Sequence, residues 1–248
     1  MGKEGTRLEN TPETTEKGKP LSGFFERYDT LLVLDTETSG LRCAADEIIE
    51  LSAAVLRRGA DGPDVTREYD ELVRLPAGKR LDYRITQLTG ITAEDLASDG
   101  IPARQACADF QSFFGGKTLV AAYNAHFDLS FLYYFLDRDG CTDCLRDADF
   151  LDILSVYRDR REYPHRLSNA IEAYGLQDRV RNTHRAVDDV RAALEVMRAM
   201  EAEKDDLLNY VNLFGYNPKF GVDGKRIRSV RYAPQPYGAN RPLYETAG

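Results

Sequence analysis

Two carboxylates stand at alternate positions directly after a short apolar run. Residues 31–34 are Leu, Leu, Val and Leu, and Asp35 and Glu37 follow them. The run predicts a buried central strand, and side chains alternate along an extended chain, so both carboxylates point to one face at the strand end. Such a pair is repulsive and costly to desolvate, which a hard divalent cation such as Mg²⁺ resolves. A turn with two solvated acids is the alternative for this pair alone.

The composition is that of an ordinary globular protein. The chain has 248 residues, 42% hydrophobic and 30% charged, enough for one domain or one domain with an appendage. No apolar run approaches the roughly 18 residues of a transmembrane span, so we expect a cytoplasmic protein with no membrane partner. The polar residues 1–22 predict a disordered leader without a secretory segment. The net charge of −8 argues against a nucleic-acid coat protein, although a local basic groove would suffice for an enzyme.

The four cysteines predict reduced thiols. A structural zinc site needs four ligands, and the single C-x-x-C pair is followed by no second pair with ligand spacing. A zinc or redox role for the pair is the alternative. The cysteines are Cys43, Cys107, Cys141 and Cys144.

The order of predicted elements indicates a mixed α/β sheet with helices on its faces. Three strands come first with short connections, which favours antiparallel pairing, and the turn between the second and third covers residues 61–63. The predicted strands cover residues 30–35, 48–57, 69–75, 118–122 and 149–153. A helix begins near residue 92, and further helices cover residues 103–114, 127–136, 167–174 and 186–204.

The last part of the chain differs in composition. From residue 217 Gly, Pro, Tyr and Arg dominate, and the segment is locally basic. We expect a main domain over residues 23–208 and a C-terminal extension over residues 209–248, forming a β-hairpin or an extended tail.

Asp128 is a second candidate ligand. It ends the segment Asn-Ala-His-Phe-Asp at residues 124–128, which follows a predicted strand and opens a helix. A carboxylate is favoured near a helix N-terminus by the dipole. A simple helix cap is the alternative.

His184 and Asp189 form the third candidate. The segment His-Arg-Ala-Val-Asp-Asp at residues 184–189 begins the long helix, with the histidine in its lead-in. Histidine is the natural proton acceptor near neutral pH. A surface histidine on an Arg-rich loop is the alternative. With Asp35, Glu37 and Asp128, this set suits two divalent cations used for in-line displacement at phosphorus.

The three segments resemble a known family. Residues 34–40 (LDTETSG), 124–128 (NAHFD) and 184–189 (HRAVDD) are similar to the three motifs of the DEDD exonucleases, in the DnaQ-like 3′–5′ subgroup with a histidine in the third motif. The proofreading subunits and domains of DNA polymerase III belong to it. Residues 85–92 (ITQLTGIT) also resemble a family segment. The resemblance covers about residues 30–200, and it implies a ribonuclease-H-like fold whose five-stranded sheet has its second strand antiparallel to the rest.

The resemblance also implies roles for the site residues. Asp35, Glu37 and Asp189 match direct ligands of two Mg²⁺ or Mn²⁺ ions, with Asp35 as the bridge between them. Asp128 matches the acid that acts on the second ion through water, and His184 matches the general base. Asp188 is a rival for Asp189, but the family spacing H-x-A-x-x-D selects Asp189. Thr38 and Leu41 match positions that contact the terminal nucleotide.

The function implied is a metal-dependent 3′–5′ exonuclease that releases nucleoside 5′-monophosphates from single-stranded ends. DNA is the first choice through the resemblance to polymerase III, and such proofreading would act with a DNA polymerase in trans. An exoribonuclease, another two-metal hydrolase and a non-catalytic binding module are the alternatives. The basic C-terminal tail and seven arginines around the third motif are candidates for holding the phosphate backbone, and solvated surface is the alternative for the arginines. They are Arg158, Arg160, Arg161, Arg166, Arg179, Arg181 and Arg185.

Overall fold

Five strands form one mixed sheet in which the third strand along the chain is followed by the second, the first, the fourth and the fifth. The computed structural model describes residues 20–60, 62–138, 140–238 and 241–247. The second strand is antiparallel to both of its neighbours, and the first, fourth and fifth are parallel, which confirms the predicted sheet. The strands are β1 (Thr30–Thr38), β2 (Ile48–Gly59), β3 (Gly62–Leu72), β4 (Thr118–Ala122) and β5 (Asp149–Asp152).

Helices connect and cover these strands. Two short 3₁₀ segments, Ser22–Glu26 and Leu207–Tyr210, accompany them. Among the described helices, none combines the length and the apolar composition that a transmembrane span requires. The helices are α1 (Tyr83–Thr89), α2 (Ala93–Ser98), α3 (Ala103–Gln111), α4 (Ala125–Asp137), α5 (Asp143–Arg146), α6 (Ile153–Arg160), α7 (Leu167–Ala173), α8 (Ala186–Glu203) and α9 (Leu243–Thr246).

Strand β1 is buried on both faces, as its apolar run predicts. Leu31 and Val33 pack into a cluster with residues of α6, α7 and α8, whereas Leu32 and Leu34 pack into a second cluster with residues of α3 and α4. All four side chains are fully buried. At roughly 2 kcal/mol for each buried aliphatic side chain, this strand contributes strongly to folding. The predicted layers, with helices on both faces of the sheet, are confirmed.

Strand β3 begins earlier than the predicted residue 69. It starts at Gly62 and pairs along its length with β2. Residues 65–68 are exposed, because β3 is the edge strand and only part of it faces the core. An exposed edge strand lacks the apolar alternation from which strands are predicted, so the start was missed.

The C-terminal region contains a parallel pair of strands, so the predicted β-hairpin is wrong. Strands β6 (Leu213–Tyr216) and β7 (Arg231–Pro234) run in the same direction. A hairpin needs a short reversal, whereas residues 217–230 form a long return connection between them. Phe214 of β6 is 1% exposed and packs in the cluster that contains α4. The division of the chain at residue 208 stays a prediction.

The structure describes the residues at both predicted boundaries of the main domain. Of the predicted leader at residues 1–22, residues 1–19 lie outside the described residues. Leu21 is fully buried and Ser22 opens a 3₁₀ segment, so the folded part begins before the predicted residue 23.

The cysteines of the described chain are thiols without a disulfide among them. Burial raises the pKa of the Cys144 thiol to about 11. A protonated thiol at neutral pH is a poor nucleophile and metal ligand, which disfavours a zinc or redox role for Cys144.

Candidate functional site

The predicted acidic residues meet at the edge of the sheet where β1 ends. Strands β1 and β4 are parallel, so the start of α4 after β4 reaches the same edge as the end of β1. Asp35 lies close enough to Asp128, Asp189 and Glu37 for all three carboxylates to raise its pKa. The structure therefore brings together four carboxylates from β1, α4 and α8.

Alternation along β1 divides the site between the two faces of the sheet. Asp35 and Glu37 continue the face of Leu31 and Val33, against which α8 packs. Thr36 points to the other face, where the backbone N–H and the hydroxyl of Thr36 donate to Oδ1 of Asp128 at 3.0 and 2.8 Å. Asp128, in the first turn of α4, is thus bound to β1.

The cluster carries more negative charge than the neighbouring hydrogen-bond donors and cationic side chains of the protein compensate. Burial, with repulsion from the neighbouring carboxylates, raises the pKa of Asp35 well above its ordinary value and that of Glu37 to about 8. Burial also raises the pKa of Asp128 to about 7, against the hydrogen bonds from Thr36, which lower it. Within the described chain, no hydrogen-bond donor reaches the Asp35 carboxylate. A bound cation would remove this electrostatic penalty.

The third motif supplies a compact group of potential ligands. One ligand atom from each of Glu37, His184 and Asp189 lies within 4.8 Å of the other two. Asp189 is 6% exposed, and its Oδ2 accepts a hydrogen bond from Asn182 at 2.7 Å. Its Oδ1 is buried without a hydrogen-bond donor in the described part of the chain. A buried carboxylate oxygen without a donor suits a divalent cation.

His184 lies in the lead-in to α8, as predicted, and is exposed. Its φ of 57° places the backbone in the left-handed region, which costs a non-glycine residue about 1 kcal/mol. In this position the imidazole adjoins Glu37 and Asp189 while remaining open to solvent. It can therefore exchange protons with bulk water.

The neighbouring acid, Asp188, has a different environment. It is half-buried, and it accepts a hydrogen bond from the Thr183 hydroxyl at 2.7 Å. Among the described residues, the ligand group contains Asp189 and not Asp188. The choice of Asp189 as the ligand stays a prediction.

The two residues predicted to contact a nucleotide differ in exposure. Thr38 is 7% exposed, and its hydroxyl donates to the Gly40 carbonyl at 2.6 Å, which stabilises the turn after β1. Leu41 is 79% exposed. Contact of either residue with a nucleotide stays a prediction.

Glu50 is a site residue that sequence reasoning missed. It is fully buried on β2 opposite Glu37, and its Oε1 accepts hydrogen bonds from Nε and Nη2 of Arg185 at 2.9 and 2.5 Å. Its Oε2 accepts one from the backbone N–H of Ala186 at 2.8 Å. Glu50 therefore anchors the start of α8 beside His184. A lone acid within an apolar strand was the available signal, since such a charge needs a partner.

Asp152 is a second residue that was missed. It ends β5, is 4% exposed, and accepts hydrogen bonds at the starts of two helices, α4 and α6. The donors are the backbone N–H groups of Asn124, Ala125, Leu154 and Ser155 and the Ser155 hydroxyl. Asp152 thereby positions the start of α4, which carries Asp128.

Five of the seven candidate phosphate-binding arginines are engaged within the chain. Arg158 donates to the Gly215 carbonyl at 3.1 Å, and four others form ion pairs, which make their guanidinium groups less available to phosphate. The pairs are Arg160 with Asp206, Arg161 with Glu203, Arg179 with Glu195 and Arg185 with Glu50.

Comparison with known families gives a match over most of the chain. The family model RNase_T, described as an exonuclease, matches residues 32–197 and so includes all three motifs. A DNA polymerase III PolC-type from Clostridium perfringens is 27% identical over 218 residues, covering 86% of this chain and 14% of the relative. The PolC-type of Latilactobacillus sakei is 30% identical over 204 residues, covering 82% of this chain and 13% of the relative. The chain thus spans a small part of the length of these relatives.

Solved structures share the fold. Exonuclease I of E. coli in complex with single-stranded DNA aligns with a TM-score of 0.64 at 20% identity, covering 74% of this chain and 43% of that chain. Exonuclease I of Methylocaldum szegediense aligns with a TM-score of 0.61 at 22% identity, covering 73% and 42%. These similarities confirm the predicted fold class, while the site roles rest on the residues themselves.

Proposed function

Because the chain belongs to the RNase_T family of exonucleases, we propose that it is a metal-dependent 3′–5′ exonuclease acting on single-stranded nucleic-acid ends. The observation that carries this proposal is the group formed by Glu37, His184 and Asp189, with ligand atoms within 4.8 Å, beside the donor-free carboxylate of Asp35. Carboxylates for cations and an imidazole for a proton are the two components that phosphodiester hydrolysis requires.

The donor set suits two divalent cations, Mg²⁺ or Mn²⁺. Asp35, Glu37 and Asp189 would hold them, with Asp128 in support, since hard cations prefer carboxylate oxygen. The raised carboxylate pKa values and the buried Oδ1 of Asp189 support this assignment. When bound, such cations supply Lewis-acid stabilisation of the charge at the reacting phosphodiester.

His184 acts as the general base in this proposal. Its exposed ring adjoins Glu37 and Asp189, so it can take the proton of the attacking water and pass it to solvent. Leu41 offers an exposed apolar side chain to the terminal base. Glu50 positions the start of α8 and, through it, His184 and Asp189.

DNA is the proposed substrate, with release of nucleoside 5′-monophosphates. The PolC-type relatives are DNA polymerases, and the E. coli structure contains single-stranded DNA. A DNA polymerase in trans is the proposed partner. An exoribonuclease that trims RNA ends is the second candidate, because the motifs do not encode contacts to a 2′-OH.

The test compares Asp189→Asn with Asp188→Asn on 5′-labelled DNA and RNA strands of matched sequence. With Mg²⁺ or Mn²⁺, wild type should degrade from the 3′ end, and Asp189→Asn should lose about 10³-fold in rate because a ligand is removed. Asp188→Asn should keep near wild-type activity. Gel laddering of both strands also identifies the preferred sugar. Equal losses in the two variants, or activity that persists in EDTA, would contradict the proposal.

A further inference from the structure

A groove is lined largely by α4, whose first turn carries Asp128, and by the C-terminal extension. Its volume is about 690 Å³, and it includes Cys43, two residues beyond Leu41. Its main lining residues are Ser130, Tyr133, Tyr134, Arg146, Lys225 and Arg228. We propose that this groove, called here the strand groove, binds the sugar–phosphate backbone of the single strand whose 3′ end occupies the acidic cluster. The inference rests on the proposed function.

Charge is the first observation that favours a polyanion. The chain carries a net charge of −8, yet the strand groove contains four basic side chains and one acid, Asp137. Lys225 and Arg228 are exposed, and within the described chain neither forms an ion pair. Cations left unpaired on an acidic protein indicate an anionic ligand, and a phosphodiester backbone supplies regularly spaced anions.

Aromatic side chains beside these cations favour a single strand over a duplex. Tyr133 is half-buried and Tyr134 is 39% exposed, and both line the strand groove. Unpaired bases stack on aromatic rings, whereas paired bases in a duplex are not available for stacking. Basic groups along a backbone path with aromatic rings between them are typical of single-strand binding.

The basic segment is held against the second motif. The Nε2 of His126 contacts the Asp223 carbonyl, which can only accept, so Nε2 carries the proton. Nδ1 then accepts from the Tyr232 hydroxyl at 2.8 Å, and that hydroxyl in turn accepts from the Ile227 N–H at 3.2 Å. His126 lies in the first turn of α4, so these bonds fix the extension against the helix that carries Asp128.

Arg226 adds a second attachment. Its guanidinium lies 5.4 Å from the ring centre of Tyr232 and 5.8 Å from that of Tyr216. These cation–π contacts hold the backbone of the segment while the neighbouring Lys225 and Arg228 remain exposed. One wall of the strand groove is therefore held in place, and the exposed side chains of Lys225 and Arg228 lie on it.

The length of the strand groove along α4 suits a few nucleotides. Nine helical steps separate Asp128 from Asp137, which is about 14 Å along α4. Residues 225–229 lie beyond residues 32–197, which the family model matches, so this wall belongs to the extension. A short substrate should not reach this wall, whereas a long substrate should bind to it.

The test uses the double variant Lys225→Ala/Arg228→Ala and a matched double variant, Arg27→Ala/Arg58→Ala. The control arginines are exposed and lie at the opposite edge of the sheet, where β1 begins and β2 ends. The substrates are a 5′-labelled single strand of about 20 nucleotides and a dinucleotide with the same 3′ end. The groove variant should raise KM for the long strand about 10-fold with kcat unchanged, and leave dinucleotide hydrolysis unaffected.

Binding of the fluorescent long strand in EDTA separates this inference from the proposed function. The slope of log affinity against log salt should fall by about 1.4 in the groove variant, because two phosphate contacts are lost at about 0.7 each. The conservative variant Lys225→Arg/Arg228→Lys should bind as wild type does. Equal affinity in the groove and control variants, or an equal loss on the dinucleotide, would overturn the inference. A wild type that binds the strand but does not degrade it would refute the proposed function alone.

Discussion

Asp35 and Asp152 are acids near the carboxyl ends of two strands, β1 and β5, at the same edge of one sheet. Asp152 accepts five hydrogen bonds, from four backbone N–H groups and one hydroxyl. Asp35 has no donor in the described chain, and burial, with repulsion from three further carboxylates of the cluster, raises its pKa. One acid therefore stabilises the fold, whereas the other is kept at a cost to the fold, which is typical of a functional site.

This difference indicates how to separate an acid that stabilises the fold from an acid that belongs to a functional site. Both follow apolar residues and precede a turn or a helix, so their sequence contexts look alike. What differs is the number of donors, since a buried charge with full hydrogen bonding costs little and one without donors needs an external cation.

The largest expected effect comes from replacing each acid by its amide. Asp152→Asn should lower the free energy of unfolding by about 3 kcal/mol, because charge-assisted bonds at two helix starts are weakened. Asp35→Asn, measured in EDTA, should unfold at the same denaturant concentration as wild type or a higher one, because repulsion is relieved. Urea unfolding monitored by circular dichroism checks both.

The two variants should also separate in activity. Asp35→Asn should remain folded and lose turnover, while Asp152→Asn should retain turnover at temperatures where it is folded. If Asp35→Asn proved the less stable of the two, the contrast between the acids would be wrong.

A smaller effect is expected for Glu50, which shares features of both acids. Glu50→Gln should lower stability by about 2 kcal/mol and kcat about 10-fold, because the amide has one acceptor oxygen and no charge, so either Arg185 or the Ala186 N–H loses its partner and His184 shifts. KM should change little, since no substrate contact is removed.

Glu68→Gln is the matched control for Glu50. Glu68 also pairs with an arginine of α8, Arg191, at 3.1 Å, but both side chains are 51% exposed. An exposed pair contributes about 0.5 kcal/mol or less, and kcat should not change. Similar losses of kcat in both variants would show that Glu50 has no special positioning role.

The smallest effect concerns Glu201, an acid with a raised pKa far from the site. It lies near the end of α8, twelve residues or about 18 Å beyond Asp189. Burial, with repulsion from Asp205, raises the pKa of Glu201 from 4.5 to about 7. When folding raises the pKa of an acid, ionisation is less favourable in the folded state than in the unfolded state. The free energy of unfolding therefore falls as the pH increases from the unfolded-state pKa through the folded-state pKa.

Glu201→Gln should therefore match wild type near pH 4.5 and exceed its stability above pH 7. Because Glu201 is only partly buried, solvent screening reduces the expected gain to about 1 kcal/mol. Activity should be unchanged, in contrast to the acids of the cluster. Glu172→Gln removes the same charge at an exposed position of α7, so it is the control and should change stability by less than Glu201→Gln does.

Much of the fold followed from local patterns. The buried strands and the helices with apolar faces were predicted because each pattern is complete within a few residues. The start of β3 and the parallel pair β6 and β7 were not, since an exposed edge and a long return connection leave no periodic signal. His184 and the acids of the cluster were predicted from motif order, whereas the partners of Glu50 and Asp152 were not.

The sequence by itself determined which residues form the candidate site, because each motif joins a particular residue type to a strand end or a helix start. Only the tertiary structure decided how each charge is compensated. Thr36 binds Asp128 across 92 positions of sequence, and Arg185 binds Glu50 across 135. Hydrogen bonds and ion pairs of that range depend on how the chain packs, and so does the difference between Asp35, left without donors, and Asp152, supplied with five.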